Sequence, residues 1–207
     1  MGFGDEQARG PWTRKALIGS GSFGVVHEVV DDDAHSYALK VEPLKIRGGQ
    51  IENEVKILRL LASVPNLPRV IASGVIGEYR GFVETRMGES LDHLLLAAQG
   101  TLPLRFMTSV VTDLLTQLER IHKLGIVHRD LKPENICAAP RDGAGPWSLI
   151  DFGLASTMTT TTTSARSFSG TVVGTARYAS IAAHQGRPIR PADDIESLCY
   201  LLLYACR

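Results

Sequence analysis

One polar string constrains this chain more than any other feature of its sequence. Residues 128–135 read His-Arg-Asp-Leu-Lys-Pro-Glu-Asn and lie in a region of short apolar pieces separated by polar loops. In such a loop, Asp130 can orient a substrate hydroxyl and accept its proton, and Lys132 can offset charge on a transferring phosphoryl group. Asn135 offers an amide oxygen to a divalent metal ion. The alternative, a polar loop with chance matches, accounts poorly for eight consecutive residues.

A second motif supplies another oxygen ligand. Residues 149–155 read Leu-Ile-Asp-Phe-Gly-Leu-Ala, so Asp151 follows the end of an apolar strand. A carboxylate there suits magnesium, a hard cation that prefers oxygen ligands. An isolated Asp-Phe-Gly triplet is also common as an ordinary turn, so this motif alone leaves both interpretations open.

A glycine-rich stretch near the start is typical of a loop that covers phosphates. Residues 19–26 read Gly-Ser-Gly-Ser-Phe-Gly-Val-Val, and glycines let the backbone approach phosphates closely. A strand pattern and Lys40 follow, which favours a loop between two strands over a dinucleotide-binding turn. Lys40 can neutralise phosphates, and Glu54 in the next helix pattern can hold it, with Glu52 as the competing carboxylate. A plain glycine hairpin and a solvated lysine are the alternatives.

Apolar periodicity divides the chain into a strand-rich part and a helical part. Residues 1–14 are glycine-rich and polar and predict a loose arm, and the threonine-rich residues 157–164 predict a mobile loop. Strands are predicted at 16–30, 36–41 and in two runs within 70–83 that are split by Gly74 and Gly77. Helices are predicted at 50–62 (with Ile51, Val55, Leu58 and Ala62 at helical spacing), 90–98, 106–124 and 195–206, the last apolar enough to be buried on all sides.

Composition and charge narrow the class of protein. The 207 residues carry 22 Lys plus Arg and 22 Asp plus Glu, so no net basic charge exists to hold nucleic acid by phosphate contacts alone. No apolar run reaches the roughly 20 residues of a membrane span, and the first residues do not form a secretory signal. Three widely spaced cysteines are typical of a reducing compartment. We therefore expect an intracellular protein, cytoplasmic or nuclear, that binds neither nucleic acid nor membrane.

In their order and spacing, these motifs resemble the eukaryotic protein kinase family. The likeness runs from about Leu17 to the end of the chain. Residues 174–181, Gly-Thr-Ala-Arg-Tyr-Ala-Ser-Ile, with residues 190–198 downstream, are similar to the casein kinase 1 group and to its tau-tubulin and vaccinia-related relatives. The resemblance implies an α+β, bilobal kinase-like fold: a small antiparallel-sheet lobe with one main helix (15–85) and a helical lobe (86–207).

The same resemblance implies an ATP- and Mg²⁺-dependent serine/threonine kinase that acts on protein substrates, acidic ones among them. The residues implied to bind ATP are Ile18, Gly19, Gly21, Ser22, Gly24, Val26, Ala38, Lys40 and Glu54. Those implied to act in catalysis are Asp130 as the base, Lys132, Asn135 and Thr175, with Asn135 and Asp151 as magnesium ligands. Arg177 would bind substrate, and Asp194 would brace the backbone of the catalytic loop.

Several positions depart from the family pattern. Glu84, or Val83 after a shift of one residue, stands at the gatekeeper position, where an apolar or small residue is usual and a carboxylate needs a partner. Cys199 replaces a glycine expected in the last helix. Gly170 stands where a basic residue would hold a substrate phosphate, which argues against a preference for phosphorylated substrates.

The chain stops at Arg207, where the family continues with further helices. The resemblance therefore implies an exposed apolar face over 195–206, open to a partner. Two functions stay open: an active kinase, and a catalytically impaired fragment that serves as a nucleotide-binding or scaffold module. A dehydrogenase is rejected, because no parallel βαβ repeat follows the glycine loop.

Overall fold

The structure, a computed structural model, describes residues 12–21, 24–46, 49–140, 145–158 and 174–207. Ser22, Gly170, and most of both the predicted arm and the threonine-rich segment lie outside these ranges. The chain forms two compact units, one made of Met1–Ala62 with Pro68–Met87 and the other of Ser63–Leu67 with Gly88–Arg207.

The first unit is a five-stranded antiparallel sheet with one helix. The strand order is β1-β2-β3-β5-β4. The elements are β1 (Thr13–Ser20), β2 (Val25–Val30), β3 (Ser36–Pro43), α1 (Ile51–Leu60), β4 (Val70–Ile76) and β5 (Tyr79–Thr85). Helix α1 packs against β3, β4 and β5, and the face of the sheet that carries Val29, Leu39 and Val83 is buried by its own cluster of apolar side chains.

Three details of this unit differ from the sequence prediction. Strand β1 begins at Thr13, inside the segment predicted as a loose arm, because it pairs with Val30 of β2. Gly74 does not separate two strands but pairs within β4, and the chain turns at Gly77, whose φ of 58° favours glycine. Ala62 lies beyond the end of α1 and is exposed.

The second unit combines helices with short two-stranded pairs. Its elements are α2 (Leu91–Ala97), α3 (Leu104–Lys123), β6 (Ile126–Val127), a 3₁₀ turn (Pro133–Asn135), β7 (Ile136–Cys137), β8 (Ser148–Leu149), β9 (Ser156–Thr157), α4 (Ile181–His184) and α5 (Pro191–Ala205). Strand β6 pairs with β9, and β7 pairs with β8, both antiparallel. These pairs set the positions of the loop that carries residues 128–135 and of the turn at Asp151.

Helix α3 forms the centre of this unit's core. Its apolar face repeats every three or four residues, as a helix buried on one side requires, and α5 packs against it. The buried side chains are Met107, Val110, Leu114, Leu118 and Ile121. Helix α5 is not buried on all sides as predicted, since Leu198 and Leu201 are buried whereas Leu203 is 68% exposed. No helix among the described residues is long and apolar enough to cross a membrane.

The predicted α+β class is confirmed, with an antiparallel sheet and one main helix in the first unit and helices in the second. Most of the predicted helices are present, with ends shifted by a few residues from the predicted ones.

Replacing Leu118 by Ala tests the core. Leu118 is fully buried on α3, so the substitution should lower the free energy of unfolding by roughly 2–5 kcal/mol, measured by chemical denaturation. Leu115 on the same helix is 42% exposed, and Leu115→Ala should lower it by less than about 1 kcal/mol. Equal losses in the two variants would contradict the assigned face of α3.

Candidate active site

The first unit contains the predicted contact between Lys40 and Glu54. Lys40 Nζ on β3 lies 2.6 Å from Glu54 Oε2 in the first turn of α1, and the Glu54 side chain is fully buried. A buried carboxylate needs such a partner, because removing a charge from water is costly. The competing carboxylate, Glu52, is 77% exposed and pairs with Arg80 instead.

Strand register brings other predicted residues to the face of the sheet that carries Lys40. Val26 lies directly opposite Lys40, and Ala38 is two residues before it on the same strand. Opposite residues and alternate residues share a face. Ala38 is buried, whereas Ile18, also predicted to contact adenine, is exposed.

The register also separates the two gatekeeper candidates. Glu84 pairs with Ala38, so it lies on the face of Lys40, and Val83 pairs with Leu39 on the other face. Both positions are buried. A carboxylate, rather than an apolar side chain, therefore lies beside Ala38.

The glycine-rich segment connects β1 and β2. Gly19 pairs with Val26, and the Gly21 amide donates to the Gly24 carbonyl over 2.9 Å. A Cβ at Gly24 would overlap the carbonyl oxygen of Val41, so close packing on β3 requires this glycine. A Cβ at Gly21 would meet no heavy atom of the described residues within 4 Å, so their packing does not explain that glycine. Its backbone is open to approach by a ligand.

In the second unit, three predicted catalytic residues converge on the carboxylate of a fourth, Asp130. Asp130 Oδ1 accepts hydrogen bonds from the Thr175 amide (2.7 Å) and hydroxyl (2.8 Å). Lys132 Nζ lies 3.1 Å from Asp130 Oδ2, and Asn135 Nδ2 donates to the same oxygen over 3.2 Å. Charge-assisted hydrogen bonds of this kind fix the orientation of the carboxylate.

The two predicted metal ligands are linked through the backbone. Asn135 Nδ2 also donates to the Asp130 carbonyl (3.0 Å), which leaves the amide oxygen of Asn135 as its metal-binding atom. The Ile150 amide donates to the Asn135 carbonyl over 2.9 Å, and Asp151 follows with a φ of 61°. A non-glycine residue in this region is strained, a feature common at functional sites. Both residues offer the oxygen atoms that magnesium prefers.

Asp194 on α5 holds the backbone just before Asp130. Its two carboxylate oxygens accept the amides of His128 and Arg129, each over 2.9 Å, and His122 Nε2 lies 2.8 Å from Oδ2. Arg129 is kept at a φ of 72°. Burial lowers the pKa of the Arg129 guanidinium, and the charge of Asp194 raises it in part. The predicted brace by Asp194 is therefore present, and His122 is a partner that the sequence did not indicate.

The buried His128 ring connects the two motifs. Its Nδ1 accepts the Asp130 amide (3.3 Å), so Nε2 carries the proton that is donated to the Ile150 carbonyl over 3.1 Å. The ring also packs edge-on against Phe152, with 4.8 Å between centroids. A neutral histidine thus ties the loop of Asp130 to the residue before Asp151.

Gly174 is a site residue that sequence reasoning missed. Its φ is 89°, and a Cβ there would overlap the Arg129 carbonyl oxygen. Only glycine lets the chain pass this close and present both donors of Thr175 to Asp130. Its position directly before the predicted Thr175 was the available signal.

Arg177, predicted to bind substrate, lies at the surface near the end of α5. Its Nη1 donates to the Tyr204 hydroxyl (3.1 Å), and its guanidinium lies 5.1 Å from the centre of that ring. Arg207 lies over the same ring at 4.7 Å. Hydrogen bonding to Tyr178 and the nearby Tyr204 raise the pKa of Arg177. Two cations thus share one aromatic ring on this surface.

A family model described as the protein kinase domain matches residues 12–206. The matched range includes every element from β1 to α5 and all of the predicted site residues.

Replacing Gly174 by Ala tests the contact between Thr175 and Asp130. The added Cβ would displace the backbone, so hydrogen exchange of the Thr175 amide should accelerate by roughly tenfold or more, measured by NMR. Gly100 has a similar φ of 94° but open space around it, so Gly100→Ala is the matched control and should leave that exchange unchanged. Equal hydrogen-exchange protection of the Thr175 amide in the two variants would contradict the requirement for glycine at position 174.

Proposed function

This chain belongs to the protein kinase family, and we propose that it is a serine/threonine kinase of the casein kinase 1 type that transfers the γ-phosphate of ATP to protein hydroxyls. The observation that carries the proposal is the convergence of Lys132, Asn135 and Thr175 on the Asp130 carboxylate. A decayed, non-catalytic member would not need this complete set.

Asp130 is suited to act as the base. Thr175 fixes Oδ1 with two hydrogen bonds, which orients the carboxylate for a hydroxyl at Oδ2 and for acceptance of its proton. Lys132 lies on the Oδ2 side, where its charge would offset negative charge on the phosphoryl group during transfer. Catalysis by such a site consists of positioning and charge stabilisation.

The remaining predicted residues fit ATP and Mg²⁺. Lys40, held by Glu54, is a fixed cation suited to the nucleotide phosphates, and the backbone at Gly21 is open to them. Asn135 and Asp151 would hold the metal ion through an amide oxygen and a carboxylate, a donor set of the hard kind that Mg²⁺ requires. When bound, the ion neutralises charge on the phosphates.

The finer assignment is supported by the segment around Arg177. Residues 174–181 resemble the casein kinase 1 group, and Lys132 two residues after Asp130 is the serine/threonine pattern. Arg177 and Arg207 present positive charge at Tyr204, which favours acidic protein substrates.

Transfer of labelled γ-phosphate from Mg-ATP to casein tests the proposal. The parent chain should phosphorylate serine and threonine, and Asp151→Asn should lower kcat by roughly a hundredfold, because one metal ligand is weakened. Asp33→Asn removes an exposed charge in the β2–β3 turn and is the matched control with unchanged activity.

Phosphoamino acid analysis of the product distinguishes the outcomes. Phosphotyrosine alone would overturn the serine/threonine assignment. A folded parent chain that transfers no phosphate to any protein would overturn the proposal and favour a nucleotide-binding or scaffold module.

A further inference from the structure

Glu42 is a buried carboxylate that the site described above does not use. It lies on β3 two residues after Lys40, so the two side chains share a face of the strand. Glu42 is 1% exposed. Its Oε2 accepts the Gln50 amide over 2.9 Å, and its Oε1 accepts the Ile51 amide over 3.4 Å. Glu42 therefore binds the start of α1 from a neighbouring strand.

Helix α1 depends on this contact because it has no cap of its own. The first amides of a helix lack partners within the helix, and the Gln50 side chain makes no capping hydrogen bond. The charge of Glu42 also suits the positive end of the helix dipole. Gly49 makes room for it, since a Cβ at that position would overlap Glu42 Oε1.

Arg80 completes the arrangement. It lies directly opposite Glu42 in the β3–β5 pairing, with Nε 3.6 Å from Glu42 Oε1. Its Nη1 pairs with Glu52 in the first turn of α1. Glu42 is thus held between a strand cation and the helix amides, which offsets the cost of burying its charge.

The first turn of α1 links Glu42 to the Lys40 ion pair. The Gln50 carbonyl accepts the Glu54 amide over 2.9 Å, so Glu54 lies one helical turn after the residue that Glu42 binds. Strand β3 therefore contacts α1 at two points, Glu42 on its first amides and Lys40 on Glu54.

We propose that Glu42 is a positioning residue: it fixes the start of α1, and through it the place of Glu54 and of the Lys40 ammonium. This inference rests on the proposed role of Lys40 in nucleotide binding. Loss of the contact leaves helix amides without acceptors and lets the first turn shift, and a displacement of about 1 Å in such a site can lower the rate by up to a hundredfold.

A double-mutant cycle separates positioning from a general loss of stability. Glu42→Gln keeps the side-chain shape but turns an amide nitrogen toward a helix amide, and it should lower kcat/KM for ATP about tenfold in the parent background. In a Glu54→Gln background, where the pair is already broken, the same change should lower it by less than about twofold. Glu78→Gln, an exposed change in the β4–β5 turn, is the matched control.

The variants are assayed at a temperature where each is shown to be folded. If Glu42→Gln lowers kcat/KM for ATP by the same factor in the two backgrounds, the proposal is overturned. Full activity of Glu42→Gln in the parent background would also overturn it. The conservative change Glu42→Asp keeps the negative charge, so it should lower the activity less than Glu42→Gln does.

The labelling rate of Lys40 with an amine-reactive reagent, read by mass spectrometry, needs no catalysis. Glu42→Gln should raise this rate toward that of Glu54→Gln, because only the deprotonated amine reacts and a paired carboxylate favours the protonated form of Lys40. Glu78→Gln should leave the rate unchanged. An unchanged rate in Glu42→Gln overturns the inference. A parent chain that transfers no phosphate but shows the expected labelling overturns only the proposed function.

Discussion

The Asp194 carboxylate is the contact on which the second unit's site depends. It is 1% exposed, and a buried charge of this kind is costly unless donors surround it. The amides of His128 and Arg129 and the ring of His122 supply those donors. The backbone directly before Asp130 is thereby fixed, and Arg129 is held in a conformation that costs roughly 1–3 kcal/mol elsewhere. The convergence on Asp130 follows from that fixed backbone.

The first unit also depends on buried carboxylates that bind hydrogen-bond donors of another element. Glu54 and Glu42 are buried carboxylates that join β3 to α1, one through a cation and the other through backbone amides. In each unit a buried carboxylate binds donors of a different element, so the position of a reactive side chain is set by a contact between two elements. Such contacts are expensive to break, because each leaves an uncompensated charge.

The sequence predicted what local patterns encode. Motif spacing indicated the Lys40–Glu54 pair, and periodicity indicated α1 and α3. The sequence did not indicate the roles of Glu42 and Gly174, because these roles depend on contacts between chain segments that meet only after folding. The exposed side of helix α5 could not be predicted for a different reason. Its sequence is almost wholly apolar, so no stripe of polar residues indicates that Leu203 lies on the exposed side. Only the family resemblance indicated Asp194, because the backbone amides that it binds are 65 and 66 residues away.

The most direct measurement is kcat for γ-phosphate transfer by Asp194→Asn at a temperature where the variant is folded. Asparagine keeps the size of the side chain but replaces one acceptor oxygen with an amide nitrogen, so at least one backbone amide of the loop loses its acceptor. We predict that kcat falls at least about tenfold. A folded variant with the parent's kcat would contradict the central role given to this carboxylate.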